Sequence, residues 1–211
     1  MKKRRLSVIL LTVVMVMAIV FSGCKKKADK DSSEEYKKGT VTDTAFESKF
    51  LNLKFALPEN FTMVSEEELD SYVQFAAEKM YSDDAKTMID YAKASVVYEV
   101  MAKNDLGSSI SVVVENLNGK DVSIEQYIEI AKKQLTSTGL AYTFADSTTK
   151  ETLAGNEYTR LDATVEANGA SMTQNMYFQK IGERMVLMTY SYTPDSEADF
   201  QTMKDAFTSY K

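Results

Sequence analysis

The chain has 211 residues, with 25 basic and 31 acidic side chains, a formal net charge of −6, one cysteine and no histidine. An acidic balance excludes nucleic acid as a partner, because its phosphates demand a basic surface. The lack of histidine removes His-based triads, His-ligated zinc and the commonest general acid–base.

Lys2, Lys3, Arg4 and Arg5 form a positive start, and residues 6–21 are apolar apart from Ser7 and Thr12. Ser22 and Gly23 then place two small residues before Cys24, as signal-peptide cleavage requires. The apolar run falls short of the roughly 20 residues of a membrane span, and polar sequence follows it, so cleavage is read in preference to an uncleaved anchor. A lone cysteine is most simply a small buried hydrophobe, but no core residue sits between a glycine and three lysines. Val20-Phe21-Ser22-Gly23-Cys24 resembles the lipobox of bacterial lipoproteins, with Phe21 where that pattern usually has Leu.

The lipoprotein resemblance implies loss of residues 1–23 and a diacylglyceryl thioether on Cys24. It places the mature chain on the extracytoplasmic face of the bacterial cell membrane, held there through the Cys24 lipid. Two acyl chains anchor stably where one does not, at about 0.8 kcal/mol per buried methylene. Lys25, Lys26 and Lys27 suit anionic headgroups, at about 1 kcal/mol each, or simply keep the linker soluble. Residues 1–23 carry four cations and no anion, so their removal takes the formal charge from −6 to −10. With Cys24 spent on lipid, no thiol remains for a disulfide.

Residues 24–44 are rich in Lys, Asp, Ser, Glu and Thr, with Tyr36 as the single aromatic. Such composition predicts a disordered tether of about 25 Å root-mean-square span. Residues 45–211 are then expected to form one globular domain.

Within it, residues 46–50 and 53–57 have the apolar content of short strands, the second ended by Pro58. Ser65 with Glu68 is a capping box, and Leu69, Tyr72, Val73, Ala76 and Met80 give one helical stripe. Ser82 caps a second helix with Ala85, Met88, Ile89 and Ala92 inward. The acids Glu66, Glu67, Glu68 and Asp70 suit a helix start through its dipole, and no calcium-loop spacing surrounds them. Strands follow at 96–101 and 109–115, joined around Asn104-Asp105-Leu106-Gly107. Ser123 with Gln126 caps a further helix, whose stripe is Ile124, Tyr127, Ile128, Ala131 and Leu135 and whose stop is Gly139. Ser147-Thr148-Thr149-Lys150 has bare Ser-x-x-Lys spacing without its companion motifs and reads as a polar loop.

Asn168-Gly169 is a strong hairpin signal, because a type I′ turn needs positive φ at both central residues. Its register pairs Val165 with Met172, Leu161 with Met176 and Thr159 with Phe178. On the other face, Asp162 meets Asn175 and Arg160 meets Tyr177. Gly182 turns the chain into a strand at 184–192, and Thr193-Pro194-Asp195 opens a last helix with Phe200, Met203, Phe207 and Tyr210 inward. Met172, Met176 and Met185 are expected as core filling, so no metal site or cofactor is read from them. Arg160, Asp162, Asn175, Tyr177, Tyr190 and Tyr192 share a sheet face, where an arginine among aromatics marks a possible binding surface. Its plainer reading is a covered face whose polar groups bond one another.

Leu57-Pro58 and Phe61, a helical excursion, Gly155-Asn156-Glu157-Tyr158 opening a meander, and a close at Ala206-Phe207-Thr208-Ser209-Tyr210 together resemble the PsbP-like α/β/α sandwich. The expected fold is therefore α+β, an antiparallel sheet with helices packed on its faces. The resemblance implies a non-catalytic module that binds an envelope protein or a cell-wall component. A small-ligand-binding lipoprotein serving a transporter is the alternative, and an enzyme is not expected.

Overall fold

A computed structural model describes residues 35–81, 85–167 and 169–211. The signal segment and residues 24–34 of the expected tether, Cys24 included, lie outside the described residues, as do Ser82, Asp83, Asp84 and Asn168.

The chain opens with short strands β1 (Thr40–Val41), β2 (Ala45–Ser48), β3 (Leu53–Ala56) and β4 (Phe61–Met63). Helices α1 (Glu66–Tyr81) and α2 (Ala85–Ser95) lead straight into β5 (Val96–Asn104), which turns back as β6 (Ser109–Asn116). Then come α3 (Ile124–Ser137), β7 (Ala141–Phe144), β8 (Thr149–Leu153), β9 (Asn156–Ala167), β10 (Ala170–Ile181) and β11 (Arg184–Tyr192). A 3₁₀ turn at Pro194–Ser196 precedes α4 (Glu197–Asp205), and β12 (Phe207–Ser209) follows it.

Local chemistry fixes several of these elements. Ser123 sits in extended conformation and accepts from the Gln126 N–H, while the Gln126 side chain accepts from the Ser123 N–H, a complete capping box for α3. At α1 only half of the box forms: Ser65 accepts from the Glu68 N–H at 3.2 Å. The Glu68 carboxylate turns away to Lys103 and to the Tyr72 hydroxyl, so the acidic cluster is partly committed to tying α1 onto β5. The two-residue turn between β8 and β9 has positive φ at both Ala154 and Gly155, the requirement of a type I′ hairpin.

The strands form two antiparallel sheets. The larger runs β4-β5-β6-β11-β10-β9-β7, with β8 also on β9, and the smaller runs β1-β2-β3-β12. The register expected from Asn168-Gly169 is the observed one, from Ala167 opposite Ala170 through Thr159 opposite Phe178.

Alternation divides the large sheet into two buried faces. Tyr127, Ile128, Ala131 and Leu135 of α3 cover Leu161, Met176, Phe178, Met185 and Leu187 on one face. On the other, Phe46, Phe55 and Phe207 of the small sheet and Met203 of α4 cover Val112, Val186, Met188 and Tyr190. Each fully buried large side chain contributes about 1.5–3 kcal/mol. Met172, Met176 and Met185 are buried, as expected of core filling.

The fold is thus α+β with layers on both sheet faces, and three local expectations are corrected. First, residues 35–44 do not all belong to a tether. Tyr36 packs edge-on against Phe50 at 5.1 Å and donates to Glu99 at 2.8 Å, and the Gly39 N–H donates to the same carboxylate at 2.7 Å. The folded domain therefore begins by residue 35, and composition missed it because the partner lies far along the chain. Second, Thr149 and Lys150, expected in a polar loop, open strand β8; β9 supplies the ladder that their side chains do not advertise. Third, the last helix ends at Asp205. Phe207 pairs with Phe55 in the small sheet, and Tyr210 stays partly exposed rather than inward.

Candidate functional site

The six residues expected on one face are brought together by β9, β10 and β11. Arg160 faces Tyr177, Asp162 faces Asn175, and Asn175 faces Tyr190 across successive ladders. That face is covered, as its plainer reading expects, and the alternative of a binding surface is corrected. Asn175, Tyr177, Tyr190 and Tyr192 are buried. The physical reason is α4, whose Phe200 ring packs edge-on to Tyr190 and stacks on Tyr192, both at 5.4 Å. The same ring lies 5.5 Å from the Arg160 guanidinium.

Beneath α4 the charged groups satisfy one another. Arg160 holds Asp162 through two hydrogen bonds of 2.6 and 3.0 Å and reaches Glu151 at 3.1 Å. Glu151 also accepts from the Tyr177 hydroxyl at 3.1 Å and from Lys204. Asn175 donates to Asp162 at 2.6 Å. Burial alone would raise the Glu151 carboxyl, but hydrogen bonds from Lys204, Arg160 and Tyr177 outweigh it and hold it below the ordinary carboxylate range. Burial opposes charge on Arg160 too, and the bonds to Asp162 and Glu151 overcome it and raise its pKa. Burial pushes the Tyr177 hydroxyl up. These three groups are held in their ordinary charge states, whereas a general acid or base works best with a pKa near the working pH.

Sequence reasoning missed Glu151 and Lys204. Lys204 had a legible signal, since it stands one helical turn after Phe200 on α4. Glu151 had none, because only its strand pairing brings it opposite Tyr158 and within reach of Arg160.

The open concavity lies elsewhere, at the end of the sheet where β5 turns into β6. It is about 500 Å³, with Phe61 and Leu106 among its lining and the carboxylates of Glu59, Asp105 and Asp199 around it. Asn104 builds the turn: its side-chain oxygen accepts from the Leu106 and Ser108 N–H groups, both at 3.0 Å. Its amide donates to Asp199 at 2.8 Å, and the Ser108 hydroxyl donates to the same oxygen at 2.6 Å. Gly107 takes φ +95, a conformation that few side chains tolerate. The braced turn presents Leu106 at 65% exposure. The sequence marked these residues only as a strand connection, although an apolar residue at a turn tip was there to notice.

Among the described residues, no helix is long and apolar enough to cross a membrane. No family model and no curated protein matches the chain. Two solved structures are similar to it in outline. LpqN, involved in cell envelope biogenesis of Mycobacterium tuberculosis, is 10% identical with a TM-score of 0.42, over 80% of this chain and 85% of that one. The cyanobacterial PsbP protein of Synechocystis is 12% identical with a TM-score of 0.45, over 81% of this chain and 95% of that one.

Proposed function

We propose that this chain is a lipid-anchored, non-catalytic binding module of the bacterial cell envelope, held at the extracytoplasmic face of the membrane through Cys24. Its contact surface is the cleft around Leu106, and its partner is an envelope protein or cell-wall component of apolar and basic character. The observation that supports this reading most is the contrast between two places. The Arg160 face saturates its own charges beneath α4, while the turn at Leu106 is braced from below and left open. An exposed leucine ringed by carboxylates fits a partner that offers an aliphatic and a cationic group together.

A photo-crosslinking side chain at Glu59, in intact cells, is expected to give a discrete protein adduct that Leu106→Lys abolishes. The melting curve should stay within about 0.5 kcal/mol of wild type, since the site is on the surface. An adduct that survives Leu106→Lys would remove the cleft from consideration. A small-molecule adduct in place of a protein would favour the alternative, a ligand-binding lipoprotein serving a transporter, whose cavity volumes fall in the range of about 300–1,000 Å³.

The anchor has its own test. Cys24→Ser is expected to abolish incorporation of a fatty-acid analogue and to leave a larger precursor. Equal labelling of both chains would sink the lipid anchor.

A further inference from the structure

We infer that the outer edge of β4 receives an extended segment of the partner protein as one more antiparallel strand of the large sheet. That strand carries an aliphatic side chain and, two residues on, a basic one into the Leu106 cleft. The inference rests on the cleft being the contact surface and goes beyond it to how the partner is held there.

The first support is the backbone of β4. It is an outermost strand of the large sheet, bonded on one side to β5. The Val64 N–H donates to the Met101 carbonyl at 2.8 Å. Bonded and non-bonded residues alternate along an antiparallel pair. Thr62, opposite Lys103, therefore also turns its backbone to β5, while Phe61, opposite Asn104, and Met63, opposite Ala102, turn theirs outward. Two further bonds agree with this phase. The Asn104 N–H points away from β4 to the Ser108 carbonyl at 2.9 Å, and the Phe61 N–H is taken by the Pro58 carbonyl at 3.2 Å. The Met63 N–H, the Met63 carbonyl and the Phe61 carbonyl have no partner among the described residues. Those three groups are what an added antiparallel strand engages: one residue exchanges two bonds with Met63, and the residue two on donates to Phe61.

The second support is the side chains beside that edge. A strand of three residues offers few bonds, so selectivity comes from the cleft that adjoins it. Residues of an added strand opposite Met63 and Phe61 share one sheet face with them, and on that face Phe61 lines the cleft. An antiparallel strand runs from Met63 towards Phe61. Its next residue on the same face lies roughly 7 Å further on, level with Glu59 and the Leu106 turn, because Asn104 stands opposite Phe61 and the turn follows Asn104. Asp199 already accepts from Asn104 and Ser108. Glu59 and Asp105 remain as carboxylates of the cleft with no cation bound to them among the described residues. Lys103 and Lys204, the lysines of β5 and α4, are held by Glu68 and Glu151. The cation must therefore come from the partner, while Leu106 and Phe61 take its aliphatic neighbour. A second copy of this chain does not fit the place. Antiparallel pairing of β4 with β4 brings Glu59 of each copy towards Glu66 and Glu67 of the other, acid against acid.

The test uses the full chain in uncharged detergent and a blocked peptide, Thr-Val-Thr-Val-Thr-Lys-Thr, whose valines stand opposite Met63 and Phe61 and whose lysine reaches Glu59. At saturating peptide, amide exchange at Met63 should slow at least about tenfold, since a new backbone hydrogen bond protects it. Met63→Pro removes the outward N–H and leaves the β4–β5 ladder its bonds, as an edge strand tolerates. N-methylation of both valines removes the donors to the Met63 and Phe61 carbonyls. Each change should weaken binding at least about tenfold, whereas Met63→Ala, which keeps the N–H, should stay within about threefold. The methylated peptide is tested on the wild-type chain, so that arm does not depend on a variant folding. Binding that survives either change overturns the added strand. If Leu106→Lys then abolishes it, the cleft stands as the contact surface, and if Leu106→Lys leaves it too, the cleft falls with the strand. A wild-type chain that binds the peptide no more tightly than about 1 mM also overturns the added strand, and the Glu59 crosslink then judges the cleft by itself.

Discussion

A domain that begins at Thr44 should melt roughly 6–12 °C below one that begins at Glu35, on the scale where about 1 kcal/mol moves a domain of this size by 2–4 °C. The loss comes from one carboxylate. Glu99 is 1% exposed, and its two oxygens accept from the Tyr36 hydroxyl and the Gly39 N–H. Truncation removes both donors and leaves a buried charge unpaired, at about 1–3 kcal/mol or more. It also strips Tyr36 from Phe50 and from Arg184, and it removes β1, whose Val41 pairs with Phe46.

The pH dependence has a definite sign. Burial raises the Glu99 carboxyl above its ordinary value, while Gly39 and Tyr36 pull it back. A raised pKa favours the folded state when the group is protonated, and that contribution is lost as pH rises through the folded value. Without Gly39 and Tyr36 the pKa rises further, so the deficit of the shorter domain should widen from mildly acid to neutral pH. Glu99→Gln, which removes the charge, should recover part of the loss in the shorter domain. Circular-dichroism melts of the two domains at two pH values are sufficient, and coincident curves would show that residues 35–43 contribute nothing.

The same residues show where sequence reading stops. Tyr36 sits in a polar, charged stretch whose composition speaks for disorder, and its partner Glu99 is 63 positions away. Composition cannot register a contact of that separation. By contrast, the β9–β10 register follows from a turn and strict alternation, both local, and every expected pair is observed. The α3 cap is local too. Phe207 defeated periodicity because Phe200, Met203 and Phe207 recur at helical spacing, yet β3 offers Phe207 a strand partner. The Arg160 face was legible as a set of residues and, in its plainer reading, as a covered face, but not which element covers it, because the docking of α4 on Tyr190, Tyr192 and Arg160 leaves no local pattern. The Leu106 cleft draws on β4 and the loop before it, on β5 and the turn after it, and on α4 at once, and no local pattern assembles segments so far apart in the chain.

The second large effect is expected at Glu151, the residue that joins α4 to the sheet. Glu151 receives Lys204 from α4, Arg160 from β9 and Tyr177 from β10. Glu151→Ala strands Lys204 and the Tyr177 hydroxyl, and leaves Arg160 with Asp162 alone, under a short helix that buries only Met203 of its own residues. Breaking a fully buried ion pair costs about 3–5 kcal/mol; Glu151 keeps 22% side-chain exposure, so about 2–4 kcal/mol is expected, or roughly 5–15 °C in melting temperature. Lys204→Ala should cost less, because Arg160 and Tyr177 still satisfy Glu151. The double variant should then show a coupling of about 0.5–3 kcal/mol between the two sites. Acid provides an independent check on the sign. The Glu151 carboxyl is held below its ordinary value by these donors, so its contribution is full above the unfolded pKa, about 4.3, and disappears as pH falls through the folded one. Glu151→Gln should accordingly show a shallower loss of stability on acidification than wild type. Amide exchange should report the same linkage locally, with α4 protection falling in Glu151→Ala before the β9–β10 ladder opens. If Glu151→Ala melts within about 0.5 kcal/mol of wild type, α4 is held by Met203 and Phe200 alone, and the ion cluster beneath it is only a means of keeping buried charges quiet.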